Sequence, residues 1–182
     1  MEYIRPYQNK DRAQMEQICI ATAGDGFHET PARETGCLTA FCRYYITHSP
    51  DTCFVVASEE DTAVGYVLCA PSFGPWARTF WKEAITVFPF GILWGIGSIL
   101  EAQPYAREYP AHLHINLLEP FRHQGLGRQL IHALEEKLRS QNCPGLMLCV
   151  GSGNQNAIRF YESCGFRALG QYPGSIVYGK KL

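Results

Sequence analysis

Hydrophobic positions follow two different periods along this chain of 182 residues. Short apolar runs predict β-strands at 3–7, 52–58, 64–70, 111–118, 146–150, 166–172 and 176–181. Apolar residues that recur every three or four positions predict helices that begin near 11, 33, 126 and 154. The predicted order of elements is therefore β-α-α-β-β, a separate segment at 71–109, and then β-α-β-α-β-β.

Cap and turn residues indicate where several of these elements begin and end. Asp11 followed by Gln14 predicts a capping box at the start of the first helix. Asn154 predicts the N-terminal cap of the last helix, and Gly165 predicts its C-terminal cap. The polar turn at 59–62 predicts a hairpin between the strands on either side of it.

The segment 71–109 interrupts the regular pattern, and we expect it to be an irregular apolar insert. Its most apolar part, 79–100, contains Lys82, Glu83, Pro89 and three glycines. A membrane-spanning helix of about 20 residues should carry fewer interruptions. We interpret the insert as a mobile apolar lid, a wall of an acceptor pocket or a homodimer contact, and a role at a membrane surface is the remaining alternative.

Composition narrows the class of protein. A chain of this length predicts one domain, residues 1–182, and 46% hydrophobic residues suit a folded core. The formal net charge of -1, without long charged runs, argues against a nucleic-acid or charged-membrane partner. The eight cysteines lack a Cys-x-x-Cys pair and zinc-ligand spacing, and the chain starts without a signal-peptide pattern. We therefore expect reduced thiols, no metal and a cytoplasmic location.

The most informative motif is the run Arg122-His123-Gln124-Gly125-Leu126-Gly127-Arg128, which lies between a predicted strand and a predicted helix. Consecutive backbone N–H groups in such a loop, together with the positive end of the helix dipole, favour an anion. Glycines leave room for the close approach of a pyrophosphate. A Rossmann motif would need glycine where Leu130 stands, and a P-loop would need Gly-Lys-Ser/Thr. The run therefore predicts a different kind of site for a phosphate-bearing cofactor.

The pattern Arg-x-x-Gly-x-Gly resembles the pyrophosphate loop of the GNAT acetyltransferase superfamily, which binds acetyl-CoA. A second run, at 154–166, resembles that family's Asn-x-x-Ala-x-x-Phe-Tyr-Glu-x-x-Gly-Phe segment. The stretch 109–116 is also similar to the acetyltransferase-like domain at the end of O-GlcNAcases and to its stand-alone microbial relatives. The resemblance spans nearly the whole chain, although those relatives tend to carry aspartate where this chain has Asn116.

This resemblance implies an α/β (α+β) fold, a single domain whose mixed, mostly antiparallel sheet of six to seven strands carries helices on both faces. It implies that two central strands part, so that acetyl-CoA, the co-substrate, enters between 115–118 and 150–152. The glycine loop would hold the pyrophosphate through its backbone, with charge-assisted contacts from its arginines. The residues expected to bind the cofactor are Leu117, Leu118, Arg122, His123, Gln124, Gly125, Leu126, Gly127, Arg128, Asn154 and Tyr161.

Acetyl transfer to an amine needs a donor for the developing oxyanion and a proton for the departing thiolate. The family motif places Tyr161 near the thioester sulfur, where its protonated phenol would donate to the thiolate, and the alternative is a packing role. The N–H of Leu117 or Leu118 is the expected oxyanion donor. Asn154 is expected to bond the cofactor arm, to cap a helix, or both.

Strand alternation puts His112, His114 and Asn116 on one face of the strand at 111–118. A histidine with a pKa near 6.5 would suit a base that acts through water, as this strand supplies in many family members. His114 is the expected base, and His112 or purely structural roles are the alternatives. A metal site that pairs the two histidines lacks an obvious third ligand.

We expect the acceptor pocket to form from 24–29, the hairpin around Tyr66 and the insert. Asp25 and Glu29 would attract a cationic amine, and a solvated loop is the alternative for both. We therefore predict an acetyl-CoA-dependent N-acetyltransferase that moves the acetyl group directly to a primary amine. The alternative is a catalytically weak or inactive acyl-CoA-binding or interaction module, because Asn116 replaces a carboxylate. The acceptor stays open among histone tails, polyamines, amino sugars, antibiotics and N-termini.

Overall fold

The computed structural model describes residues 2–24, 29–87 and 92–182. Their strands form one seven-stranded sheet in the order β1-β2-β3-β4-β5-β7-β6. Neighbouring strands pair antiparallel, except that β4 and β5 are parallel. This confirms the predicted mixed, mostly antiparallel sheet. The strands are β1 (Tyr3–Pro6), β2 (Phe54–Ala57), β3 (Ala63–Ala70), β4 (Ala111–Leu117), β5 (Gly145–Gly151), β6 (Arg167–Tyr172) and β7 (Ser175–Lys181).

The described helices include those at the predicted places and two further helices in the segment 71–109. Most of the residues of this segment that the structure describes are helical, which corrects the expectation of an irregular insert. The predicted helix at 33–48 is divided into α2 and α3 by a π-helical stretch, Thr39–Arg43. The helices are α1 (Arg12–Ala21), α2 (Pro31–Leu38), α3 (Tyr44–His48), α4 (Phe73–Val87), α5 (Ile92–Ala102), α6 (Leu126–Ser140) and α7 (Gln155–Ser163).

Helices cover both faces of the sheet, because alternate side chains of its central strands enter two separate cores. Tyr66 and Leu68 of β3 pack with residues of α1 to α5. Val67 and Cys69, which point the other way, pack against α6 and α7. The row Leu126, Leu130, Leu134 and Leu138 supplies the buried stripe of α6, as its i+4 spacing predicts.

The start of α1 differs from the predicted capping box. Asp11 makes no side-chain cap bond to α1, and its carboxylate instead binds both terminal nitrogens of Arg5 at 2.7 and 2.8 Å. It also accepts the Gln8 N–H at 2.8 Å. The two side chains are only 11% and 2% exposed, so a nearly buried bidentate ion pair ties β1 to α1.

We predict that Asp11→Ala lowers the free energy of unfolding by about 3 kcal/mol, because it leaves the Arg5 guanidinium nearly buried without its main partner. The matched control is Asp51→Ala at an exposed position, which should change stability by less than about 0.5 kcal/mol. Urea unfolding followed by circular dichroism measures both. Equal effects of the two substitutions would contradict a structural role for the ion pair.

Candidate active site

A gap opens in the middle of the sheet where β4 and β5 part. The two strands share only two residue pairs, Ala111 with Leu146 and His112 with Met147. Each strand stays paired with its other neighbour beyond this point. β4 pairs with β3 as far as Leu117, and β5 pairs with β7 as far as Gly151. The gap therefore lies where the family resemblance implied it, between the C-terminal ends of these strands.

The peptide groups on the β4 side of this gap can be assigned from the pairing with β3. The Leu118 N–H donates to the Val64 carbonyl at 3.1 Å. Since successive peptide groups of a strand point to opposite sides, those of Ile115 and Leu117 point into the gap. Of the two expected oxyanion donors, Leu118 is thus already engaged by the protein, which leaves the Leu117 N–H.

The glycine loop ends at the start of α6, beside the same gap. Gly125 is the N-terminal cap residue with φ +80, a conformation that glycine adopts without strain. No side chain in the described part of the chain caps this helix, and the first N–H groups of a helix lack partners within it. These donors and the helix dipole make the loop suited to an anion.

The second glycine of the loop, Gly127, serves the packing of two helices. A Cβ at Gly127 would lie 3.1 Å from the Phe160 ring, so this glycine allows α7 to pack closely against the start of α6. A Cβ at Gly125, by contrast, would point into open space. Of the two glycines in the motif, Gly125 is therefore the one whose missing side chain leaves room for a ligand.

The side chains of the loop mostly hold the protein itself. Arg122 Nε donates to the Leu117 carbonyl at 3.0 Å, and Gln124 Nε2 donates to the Pro120 carbonyl at 2.8 Å. Arg128 Nη1 donates to the Ser163 carbonyl at 2.9 Å, at the C-terminal end of α7. Both arginines also line the cleft, so their charge favours an anion there while their planar groups fix the loop.

Tyr161 lies on α7 and lines the cleft. The residue is 8% exposed, and its ring packs against Phe160, Phe166 and Tyr178. Burial raises the pKa of the Tyr161 hydroxyl, so it stays protonated at neutral pH. In the described part of the chain, no atom accepts a hydrogen bond from this hydroxyl, which leaves it available to donate.

Asn154 caps α7, since its Oδ1 accepts the Ala157 N–H at 3.1 Å. The same residue lines the cleft, so the two predicted roles are compatible in this geometry. The predicted cap at Gly165 also has the expected left-handed backbone, with φ +87.

The two histidines of β4 are held among aromatic rings. The His112 ring is 2% exposed, stacks on Trp76 at 4.2 Å between centroids, and has its Nδ1 3.0 Å from the Tyr45 hydroxyl. The His114 ring meets Phe41 edge to face at 5.1 Å. Loss of solvation lowers the pKa of both, to about 4 for His114. Both rings are therefore neutral at pH 7, and His114 is a weaker proton acceptor than a histidine with a pKa near 6.5.

Of the three expected substrate residues, the two that the structure describes do not line the cleft. Tyr66 is completely buried and its hydroxyl accepts a bond from Asn116 Nδ2 at 2.9 Å, so it lies beneath the cleft rather than in contact with a substrate. Glu29 is exposed, pairs with Arg33 and does not line the cleft. Asp25 lies outside the described residues.

The insert supplies one wall of the cleft, and the sequence did not indicate which of its residues form that wall. The cleft has a volume of about 1290 Å³, and α4 and α5 contribute Trp76, Phe80, Ser98 and Glu101 to its lining. The helical spacing of Phe73, Trp76 and Phe80 was the available signal for α4. The Trp76 Nε1–H, although buried, has no hydrogen-bond partner among the described residues. Glu101 belongs to no motif, and no local pattern marks it.

Comparisons with known proteins identify the class. A family model described as the acetyltransferase (GNAT) family matches residues 17–166, and the chain therefore belongs to that family. YycN of Bacillus subtilis (strain 168), described as an uncharacterized N-acetyltransferase, is 32% identical over 93 residues, which are 50% of this chain and 53% of YycN. The chain spans about half the length of the curated relatives it matches.

Solved structures support the same fold. SsHAT is 25% identical, with a TM-score of 0.86 over 99% of this chain and 98% of that one. The PaiA N-acetyltransferase of Thermoplasma acidophilum, solved in complex with coenzyme A, is 11% identical with a TM-score of 0.65 over 100% and 99% of the two chains, a likeness in fold alone. The narrower resemblance to the O-GlcNAcase end domain stays a prediction.

Two further features concern the residues that the structure describes. Every helix in these ranges is too short or too polar to cross a lipid bilayer. No three of their histidine, cysteine, aspartate or glutamate side chains come close enough together to hold a metal ion.

We predict that His114 makes stability depend on pH. Its pKa of about 4 in the folded protein lies below the ordinary value of 6.5. The contribution of the neutral His114 to the free energy of unfolding is therefore fully present above pH 6.5 and is lost as the pH falls toward 4. The His114 contribution lost between pH 7.5 and 5 should be on the order of 2 kcal/mol. Urea unfolding of the wild type and of His114→Gln at both pH values measures it. If the free energy of unfolding falls equally in the two proteins between these pH values, the lowered pKa of His114 is contradicted.

Proposed function

We propose that this protein transfers an acetyl group directly from acetyl-CoA to a primary amine. The observation that carries the proposal is the parting of β4 and β5 beside the uncapped start of α6, with Tyr161 in the same cleft. A pantetheine arm pairs with an exposed strand edge as an added strand would, and the edge formed by Ile115 and Leu117 is of that kind.

The opposite end of the cleft suits the phosphates of the cofactor. The backbone N–H groups of 124–128 bind the pyrophosphate at the positive end of α6. Arg122, Arg128 and Arg159 line the cleft and raise its attraction for a polyanion. Because Arg122 and Arg128 also hold protein carbonyls, the loop keeps its geometry without the ligand.

The chemical step follows from the groups around the gap. The lone pair of a neutral amine attacks the thioester carbon, and the Leu117 N–H stabilises the oxyanion that forms. When the carbon–sulfur bond breaks, the Tyr161 hydroxyl donates its proton to the leaving thiolate. Water oriented by His114 carries the proton lost by the amine to solvent. A proton from solvent then restores the Tyr161 hydroxyl. A neutral His114 suits this role, since it can accept a hydrogen bond from water at pH 7.

One observation favours a second candidate, an acyl-CoA-binding module without turnover. Asn116 stands where a carboxylate is expected, and its amide is used in the bond to the buried Tyr66 hydroxyl. Such a residue supports the strand and takes no proton. In that case acetyl-CoA binds and no amine in a broad panel is acetylated.

We also propose a cytoplasmic location. Six of the eight cysteines are buried, and Cys19 Sγ lies 4.0 Å from Cys37 Sγ. A reducing compartment keeps such neighbouring thiols from being joined.

The role of the loop is tested at Gly125. We predict that Gly125→Ala raises the dissociation constant for acetyl-CoA by at least about tenfold, because the new methyl group occupies the space of the phosphates. Gly165→Ala is the control, since it brings the same strain of positive φ, +87, away from the cleft. Titration calorimetry measures both, and equal weakening would contradict the placement of the pyrophosphate.

The role of Tyr161 is tested by removing one oxygen atom. We predict that Tyr161→Phe lowers kcat roughly 100-fold and changes acetyl-CoA affinity by less than about twofold, because the proton is needed only as the thiolate leaves. Tyr178→Phe, which removes a hydroxyl bonded to Glu162 at 2.9 Å, is the control. A thiol-release assay gives kcat. Equal losses of turnover and affinity in Tyr161→Phe would rule out the proton-donor role.

A further inference from the structure

Charged side chains of opposite sign lie on different elements around the cleft. Among the described residues that line it, the arginines Arg122, Arg128 and Arg159 lie at the loop and on α6 and α7. The only carboxylate among these lining residues is Glu101, on α5 of the insert. The side of the cleft that the insert forms therefore carries negative charge.

Glu101 is held beside the gap between the strands. Its Oε2 accepts a hydrogen bond from Ser175 Oγ at 2.6 Å, and its carbonyl accepts the Tyr172 hydroxyl at 3.1 Å. Ser175 is paired with Gly151, the last residue of β5. Since β5 forms one edge of the gap, the carboxylate lies near the place where the thioester arrives in the proposed reaction. Within the described part of the chain, Oε1 has no partner, so one oxygen is left for a ligand.

The wall that completes this side is aromatic and uncharged. Phe41, Trp76, Phe80 and His114 line it, and three of these are hydrocarbon or indole rings. His114, like the neighbouring His112, is neutral at pH 7, so no cationic side chain among the described residues of this wall can hold a carboxylate or phosphate of the acceptor. Aromatic faces also attract an ammonium group.

We propose that Glu101 binds the ammonium group of the acceptor, and that the acceptor is a compact arylalkyl monoamine without an anionic group. This assignment rests on the proposed function, because it names the substrate class of that same cleft. The charge-assisted bond to Glu101 brings the nitrogen to the gap, and the aromatic wall takes the apolar body. The amine gives up its proton to water before it attacks.

The test compares Glu101→Gln with Glu108→Gln. Glu108 is exposed, pairs with Lys181 at 2.9 Å and lies outside the cleft, so it is the matched control. The amines are phenethylamine, phenylalanine, which adds a carboxylate to the same skeleton, and spermidine, which is a polycation without a ring. For the wild type we expect kcat/KM for phenethylamine to exceed that for either other amine by at least about tenfold.

Glu101→Gln should lower kcat/KM for phenethylamine by at least about tenfold, mainly through KM, and should narrow its advantage over phenylalanine. Acetyl-CoA affinity should stay unchanged in both variants. An unchanged kcat/KM for phenethylamine in Glu101→Gln, or a wild-type preference for phenylalanine or spermidine, would overturn the assignment while leaving the transferase function intact.

A binding measurement separates this assignment from the transferase function. Calorimetric titration of the CoA-loaded protein with phenethylamine should give a dissociation constant that rises at least about tenfold in Glu101→Gln and stays constant in Glu108→Gln. That result supports the amine site even if no acetyl group is transferred. Equal binding of phenethylamine by wild type and Glu101→Gln, or none by the wild type, would overturn it.

Discussion

The active cleft depends on a parallel strand pair that ends after two residue pairs. Each of the two strands keeps an antiparallel partner along its far side, β3 for β4 and β7 for β5, so the pair can part without losing the sheet. Parting leaves backbone N–H and C=O groups of Ile115 and Leu117 beside a cleft rather than in a ladder. Buried backbone groups need partners, and Arg122 already supplies one for the Leu117 carbonyl. The remaining groups are the ones a ligand can pair with.

The same parting organises the rest of the site. α6 begins just after β4, so its unpaired N–H groups face the gap, and α7 begins just after β5, so Tyr161 enters from the other side. Gly127 allows these helices to approach, and Arg128 links the start of one to the end of the other. α5 then brings Glu101 to the side of the cleft that the insert forms, where it is fixed by Ser175 of the last hairpin. The proposed anion and cation sites thus follow from the order of elements around one gap.

Most of the fold could be predicted because its signals are local. Strand and helix periods, the glycine motif and the caps at Asn154 and Gly165 depend on neighbouring residues. The side-chain roles that depend on distant contacts could not be predicted. Asp11 binds Arg5 rather than capping α1, and every residue of β3 is buried, so alternation did not reveal that Tyr66 faces the core. Glu101 has no motif, and only the position of α5 places it in the cleft.

The placement of acetyl-CoA along β4 and at the start of α6 is the central claim. Amide NMR spectra of the 15N-labelled protein during titration with acetyl-CoA test it most directly. The largest shifts should fall on the backbone N–H groups of Ile115, Leu117 and 124–128, because these donors would gain acceptors. Shifts confined to other residues, or no shifts at saturating acetyl-CoA, would contradict the claim.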